Sequence, residues 1–507
     1  MPTPNPSPAN APEPLREEEG FHPQPTASGR SSSIPTPSTH EPIKDRRPRI
    51  GLLGIMQPLY DDMIPGITER QADYAAQVAA SLSETAEWTV APPVRGRADA
   101  ERAVREFEAA GLDGVMVVML TYGPSLRVTR LFSQMRLPVA LANIQPDPAV
   151  SPSWDMADMT YNQGIHGAQD TANAMVRAGL PFEVITGEWQ SAEFTARVDR
   201  WARAARAVTA LRSLKVGVFG YPMNGMGDAR VDETAFLRKL GPEIEIIAPG
   251  TLHRTMAELP AEAVTELMEW EDGAFEVDER LSKEEREDHA RMQLGIERLL
   301  EATGCGAYST HFDAIGEDGR FARLPMAAAS TLMAKGYGFA GEGDVMAAAI
   351  VYAGHQLAGD GHFTEMYAMD FPTDSILMSH MGEGNWKVAR EDEPIRLIKR
   401  PLGIGGLEDP PTIVFRYQPG PATLASLVAL GGERFRLVVA EGEVVDTPEL
   451  PDLEMPYGQF RPATGVRACM DAWLRSGGTH HMVMNSGARA EDWRVLCELV
   501  GIEYVQV

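Results

Sequence analysis

The 507-residue chain holds very little cysteine, no long apolar run and far less positive than negative charge. Its three cysteines, Cys305, Cys469 and Cys497, show no paired metal-ligand spacing and make an odd count. That argues against a disulfide scaffold, and free thiols in a reducing cytoplasm are expected. No apolar run reaches membrane-spanning length, so no membrane partner is expected. Forty-six basic residues against 72 acidic ones leave a net charge of −26. Phosphate binding needs a basic face, so a nucleic-acid partner is not expected either. From Met1 to about Arg47 large apolar residues are scarce while Pro, Ser and Thr abound. Such a segment buries too little surface to offset its ordering entropy, and it lacks the apolar stretch of a signal peptide. Residues 1–48 are therefore expected to be a disordered tail, and its His22 and His40 are not expected to be ligands.

What is present is a long α/β pattern. Hydrophobic residues make up 44% of the chain and charged ones 23%, the composition of a globular protein too long for one core. Strand patterns at Arg49–Met56, Glu87–Ala91, Gly114–Leu120 and Pro138–Ala142 alternate with helical stretches near Ala72–Leu82 and Ala98–Ala110. After a helix near Asn162–Ala178 a second series is expected, with strands at Glu183–Thr186, Lys215–Gly220, Glu243–Ala248 and Ala307–His311. Its helices are expected near Thr255–Glu269 and Lys283–Glu301. Alternation of this kind implies parallel sheets covered on both faces, with ligands beyond the carboxyl ends of the strands. From about Phe371 the pattern changes to antiparallel strands, such as Thr412–Tyr417 and Phe435–Ala440, between Pro and Gly turns. The expected fold is α/β: two Rossmann-like or flavodoxin-like domains, residues 49–183 and 184–359, then a mostly antiparallel β domain, residues 360–507.

Chemistry-bearing residues concentrate late. Glu342 lies between Gly341 and Gly343, just before an apolar stretch that Asp344 could cap. Glu365 follows a Gly-rich turn beside Tyr367. His380 follows Ile376-Leu377-Met378 and sits at an expected strand end. Gly477-Gly478-Thr479 precedes His480-His481. On an extended segment adjacent side chains face opposite ways, so only one of that pair easily reaches a given metal. Two carboxylates and two imidazoles suit a divalent first-row ion with positions left open for an oxygen-rich substrate. His166 is read as a helix-surface or interface residue, and His355 and His362 as solvent-facing residues flanking a turn. Pro401-Leu402-Gly403-Ile404-Gly405-Gly406 lacks the lysine and helix of a phosphate loop and reads as a tight turn near the site.

These residues carry a family resemblance. Gly336-Tyr337-Gly338-Phe339-Ala340-Gly341-Glu342-Gly343-Asp344, Leu402-Gly403-Ile404-Gly405-Gly406, Gly420-Pro421-Ala422-Thr423-Leu424-Ala425-Ser426-Leu427 and Gly477-Gly478-Thr479-His480-His481 resemble the motifs of L-arabinose isomerases. The landmarks keep the same order from about Gly51 to His481. The resemblance implies aldose–ketose isomerisation through a cis-enediol, with Mn2+ or another divalent ion such as Co2+ or Mg2+. It implies metal ligands Glu342, Glu365, His380 and His481, with the two glutamates as acid/base pair and His480 near the substrate. Gln57, Leu59, Tyr60, Met223, Phe312, Met381 and Ile404 would line the sugar pocket. A homo-oligomer, a hexamer with active sites between subunits, is implied as well. The sequence departs from the family at Tyr367-Ala368-Met369-Asp370, at Ala142-Asn143-Ile144-Gln145 and at Gly382-Glu383-Gly384-Asn385. L-arabinose is thus the leading substrate, with L-fucose, D-galactose or another aldose, or sugar binding without catalysis, as alternatives.

Overall fold

The computed structural model describes residues 46–507, and the expectations placed on residues 1–45 lie outside the described residues. The strongly apolar segments form the centres of parallel sheets. In the first sheet the strands β1 (Arg49–Ile55), β2 (Glu87–Val90), β3 (Gly114–Met119), β4 (Val139–Asn143) and β5 (Glu183–Thr186) are all parallel, in the order β2-β1-β3-β4-β5. All six residues of β3 are buried, as a central strand covered on both faces requires.

β5 corrects one expectation. It pairs with β4, Ala140 opposite Glu183 and Asn143 opposite Thr186, and so closes the first sheet instead of opening the second series. The first sheet therefore runs past the expected limit at residue 183. The reason is an alternating burial of β5, buried at Glu183 and Ile185 and exposed at Val184 and Thr186, which marks an edge strand.

The second sheet is also parallel. It uses β6 (Lys215–Phe219), β7 (Glu243–Ile247), β9 (Ala307–Thr310) and β10 (Gly338–Ala340), in the order β10-β9-β6-β7. The two-residue β8 (Glu276–Val277) leaves this sheet and joins β13 (Arg396–Lys399) and β14 (Pro411–Val414) in a small one.

The remaining strands are antiparallel, as the change of pattern predicts. They are β11 (His362–Asp370), β12 (Ser375–Ser379), β15 (Gly420–Ala429), β16 (Phe435–Val445), β17 (Tyr457–Pro462) and β18 (His481–Asn485), with β19 (Glu503–Gln506) added in parallel to β16. Because β15 pairs with both β18 and β16, the order β15-β18-β11-β12-β17-β16 closes into a six-stranded barrel. Met482, Met484, Leu424, Val438, Ala440, Met378 and Phe460 belong to one core cluster, the barrel filling. Their alternating neighbours Phe363, Val483, Ala425, Leu427, Leu437 and Val439 belong to another, shared with the buried helix Val345–Ala358. That outer face, turned toward the second sheet, carries the site. Two helices, Val466–Ser476 and Ala490–Val500, flank the barrel.

Candidate active site

Three adjacent strands of the second sheet, β10, β9 and β6, deliver loops at their carboxyl ends. The loop after β10 is bent by Glu342, a non-glycine residue at φ 55°, and Gly343 at φ 79°. Left-handed backbone at a non-glycine costs about 1–2 kcal/mol, so the surroundings must hold it. They do: the Ser309 hydroxyl donates to the Ala340 carbonyl at 2.6 Å and accepts from the Gly343 N–H at 2.9 Å. The Met223 N–H donates to the Glu342 carbonyl at 2.8 Å. A Cβ on Gly343 would lie 2.4 Å from Pro222 Cα, so only glycine fits there. Asp344 caps the next helix, accepting from the Ala347 N–H at 2.9 Å, as expected.

The barrel supplies the other side chains. Glu365 on β11 stands directly opposite His481 on β18, which gives both the same face, that of Phe363 and Val483. His380 follows the last residue of β12. The result is a cluster: His481 Nε2 lies 3.1 Å from Glu342 Oε2 and 3.3 Å from Glu365 Oε1. Two overlapping groups of potential ligand atoms, Glu342, His380, His481 and Glu365, His480, His481, each fall within 4.8 Å. Thus the five residues implied by the sequence meet at one place.

Behind the imidazoles stand carboxylates that the sequence did not point to. His380 Nδ1 is 2.6 Å from Glu383, His481 Nδ1 is 3.0 Å from Asp344, and His480 Nδ1 is 2.6 Å from Asp228. Asp344 was expected only as a cap. A carboxylate on Nδ1 turns Nε2 toward the cluster, the arrangement that orients metal-binding histidines. Glu383 lies only three residues from His380, a spacing that could have revealed it. The other two partners are 137 and 252 residues away in sequence.

The electrostatics follow from this crowding. Burial pushes the Glu342 and Glu365 carboxyls up, but the nearby imidazoles outweigh it; Glu342 falls below its usual value and Glu365 is drawn down to about 2. Burial pulls the His380 and His481 imidazoles down, yet the surrounding carboxylates raise both. The same field would favour a divalent cation. Ligand atoms bound at about 2.1 Å to one ion sit roughly 3–4.2 Å apart, and the 3.1 and 3.3 Å separations agree. Glu342 Oε2 and His481 Nε2 are buried without an aligned hydrogen bond, so the donor set fits a divalent ion.

Two histidine expectations are corrected. His480 precedes β18, so strand alternation does not apply to it; its ring lies 4.1 Å from that of His481, tilted by 35°, on the same side. His355 and His362 are fully buried, not solvent-facing. Each Nδ1 accepts a main-chain N–H, from Gly361 and Asn385, and burial pushes His362 down to about 3. The sequence marked the turn between them but not the helix and barrel that cover it.

An open cleft of about 380 Å³ beside Glu342 and His380 is lined by Phe312, Met381 and Ile404, three of the implied pocket residues. Ile404 comes from the expected tight turn, where Gly405 has φ 77°. Met223 touches the site through its backbone. Gln57, Leu59 and Tyr60 lie at the end of β1 and the short helix Leu59–Met63, and none of them lines the cleft.

Comparison with known proteins gives the class. An L-arabinose isomerase of Erwinia tasmaniensis is 32% identical over 409 residues, covering 78% of this chain and 80% of its own. Another from Nocardioides sp. is 32% identical over 464 residues, covering 87% and 91%. L-arabinose isomerase 1 of Bacillus licheniformis is 32% identical, covering 80% and 82%. A periplasmic solute-binding protein from Actinobacillus succinogenes with bound D-allose overlaps 54% of this chain and 83% of its own at 14% identity and a TM-score of 0.16, too low to carry an argument. The chain is an enzyme, an aldose–ketose isomerase by class. Models of the L-arabinose isomerase N-terminal, central and C-terminal domains match residues 53–213, 215–360 and 360–503. The chain belongs to the L-arabinose isomerase family.

Proposed function

We propose that the protein converts L-arabinose to L-ribulose, using a divalent ion, Mn2+ by preference and otherwise Co2+ or Mg2+, held by Glu342, Glu365, His380 and His481. The observation that carries this reading is that Glu342 and Glu365 lie 3.1 and 3.3 Å from His481 Nε2, with ligand atoms of His380, Glu342 and His481 within 4.8 Å of one another. The bound ion would act as a Lewis acid toward the O1 and O2 oxygens of the open-chain sugar. Glu342 and Glu365 flank the place where C1 and C2 would lie. One removes the C2 proton and a proton is returned to C1, while the hydroxyl proton on O2 passes to O1, by way of a cis-enediol. His480 faces the sugar oxygens. Phe312, Met381 and Ile404 exclude water from one side of the cleft, which strengthens every charge interaction inside it.

A homo-oligomer, a hexamer by family, supports the role of Gln57, Leu59 and Tyr60. These residues do not line the cleft beside Glu342, and Leu59 exposes 55% of its surface. In the oligomer this turn would complete a neighbour's pocket. The cytoplasm is the proposed location: the three cysteines are unpaired and buried, and among the described residues no helix is long and apolar enough to cross a membrane.

A second sugar is favoured by Asp370, which stands where the family carries a histidine. Its carboxylate accepts from Gln459 and from the Thr373 N–H, so it serves the β11–β12 turn and does not reach toward a sugar. The test is a panel of L-arabinose, L-fucose and D-galactose with Mn2+, reading ketose formation and kcat/KM. L-arabinose is expected to rank first. Preference for another aldose replaces the substrate only, and no ketose from any aldose removes the proposal.

A further inference from the structure

We propose that Asp228 is a positioning residue of this isomerase, holding the His480 imidazole so that its Nε2 faces Glu365 and the sugar oxygens beside it. The inference rests on the proposed function of the same site. Asp228 comes from the loop after β6, and a single oxygen, Oδ2, accepts twice from His480: from Nδ1–H at 2.6 Å and from the main-chain N–H at 3.2 Å. A carboxylate has no proton to give, so Nδ1 carries the hydrogen and Nε2 is the atom left for chemistry. That atom lies 3.7 Å from Glu365 Oε1, and the ring rests against His481. His480 is 40% exposed at its side chain, so packing alone does not fix its rotamer.

The loop that brings Asp228 is itself fastened to the site. The Arg230 guanidinium donates to the Pro222 and Met223 carbonyls at 3.1 and 3.0 Å, and the Met223 N–H holds the Glu342 carbonyl. Pro222 packs against Gly343. One short loop therefore sets both the backbone of Glu342, on the second sheet, and the ring of His480, at the edge of the barrel. Asp228 touches neither ion nor substrate in this scheme; it acts through His480.

The experiment is a double-mutant cycle in the full-length enzyme with Mn2+. Asp228→Ala is expected to lower kcat/KM about 10–100-fold, the range seen for partners that orient site histidines, with Mn2+ affinity by calorimetry unchanged. Asp228→Asn, whose amide oxygen still accepts from Nδ1–H, is expected to recover most of the loss. In a His480→Ala background, Asp228→Ala should lower kcat/KM no further. Additive losses, or wild-type kcat/KM for Asp228→Ala, would overturn the proposal. If the wild type isomerises no aldose, the functional reading fails, and crystal structures of the wild type and Asp228→Ala then decide the positioning. A His480 ring that leaves Glu365 in the variant supports it, and a ring that stays overturns it.

Discussion

At the scale of single residues, each imidazole of the site has two jobs assigned to its two nitrogens. Nδ1 is given to a carboxylate and Nε2 to the shared space, so the carboxylates decide which atom can bind an ion. Replacing Asp344 or Glu383 by Ala, which leaves Nδ1 without its acceptor, should weaken Mn2+ binding about 10–100-fold, read by calorimetry, while the circular dichroism spectrum stays that of the wild type. Glu342→Gln should lower kcat by about 10²-fold or more, because proton transfer contributes at least that much, with the fold retained. The residues that meet at the site were legible in the sequence because they sit in short motifs, glycine-flanked or paired. Their supporting carboxylates were less so. Asp344 reads as a helix cap, which it is, and nothing local ties it to a histidine 137 residues further on.

At the scale of elements, the central parallel strands β1, β3 and β4 announced themselves by their apolar runs, whereas the 21-residue helix Ala192–Arg212 did not. Its sequence mixes Ala and Arg, and it buries Phe194, Val198, Trp201, Ala205, Arg206 and Leu211 on more than one face, so no single apolar stripe stands out. The edge strand β5 was assigned to the wrong sheet for a related reason: a four-residue alternating strand carries no mark of its neighbour. β5 also holds a titrating contact. Burial, together with the adjacent Glu498 carboxyl, raises Glu183 to about 7 despite Arg494 and Arg197 nearby. Between its unfolded value and 7 the folded chain binds more protons at this carboxyl than the unfolded one, so this group's contribution to stability falls as pH rises through that window. Glu183→Gln should therefore unfold at higher urea than the wild type at pH 8 and at similar urea at pH 4. A second element-scale expectation concerns the turn after β10. Gly343→Ala should destabilise by more than about 1 kcal/mol and reduce turnover, because the added Cβ must push Pro222, and with it the loop at Met223, off Glu342.

At the scale of the whole molecule, chelation should abolish turnover and Mn2+ should restore it, and thermal melting should rise with Mn2+ concentration because the ion binds only the folded site. Absence of either effect would contradict the ligand assignment. The closed barrel has a further consequence. In an open sheet a strand can slide along its neighbour at the expense of one ladder, and a one-residue slide turns every side chain to the opposite face. In a hoop of six strands the registers form a fixed sum around the ring, so one strand moves only if the others move with it. Glu365 and His481 face each other across one such ladder. Their spacing is thus quantised: mutations in the wall either leave it alone or dismantle the hoop, and gradual retuning is available only to the loops that border it. In the proposed reaction such a frame would hold the reacting end of a sugar constant while the loops remain free to change which sugar arrives.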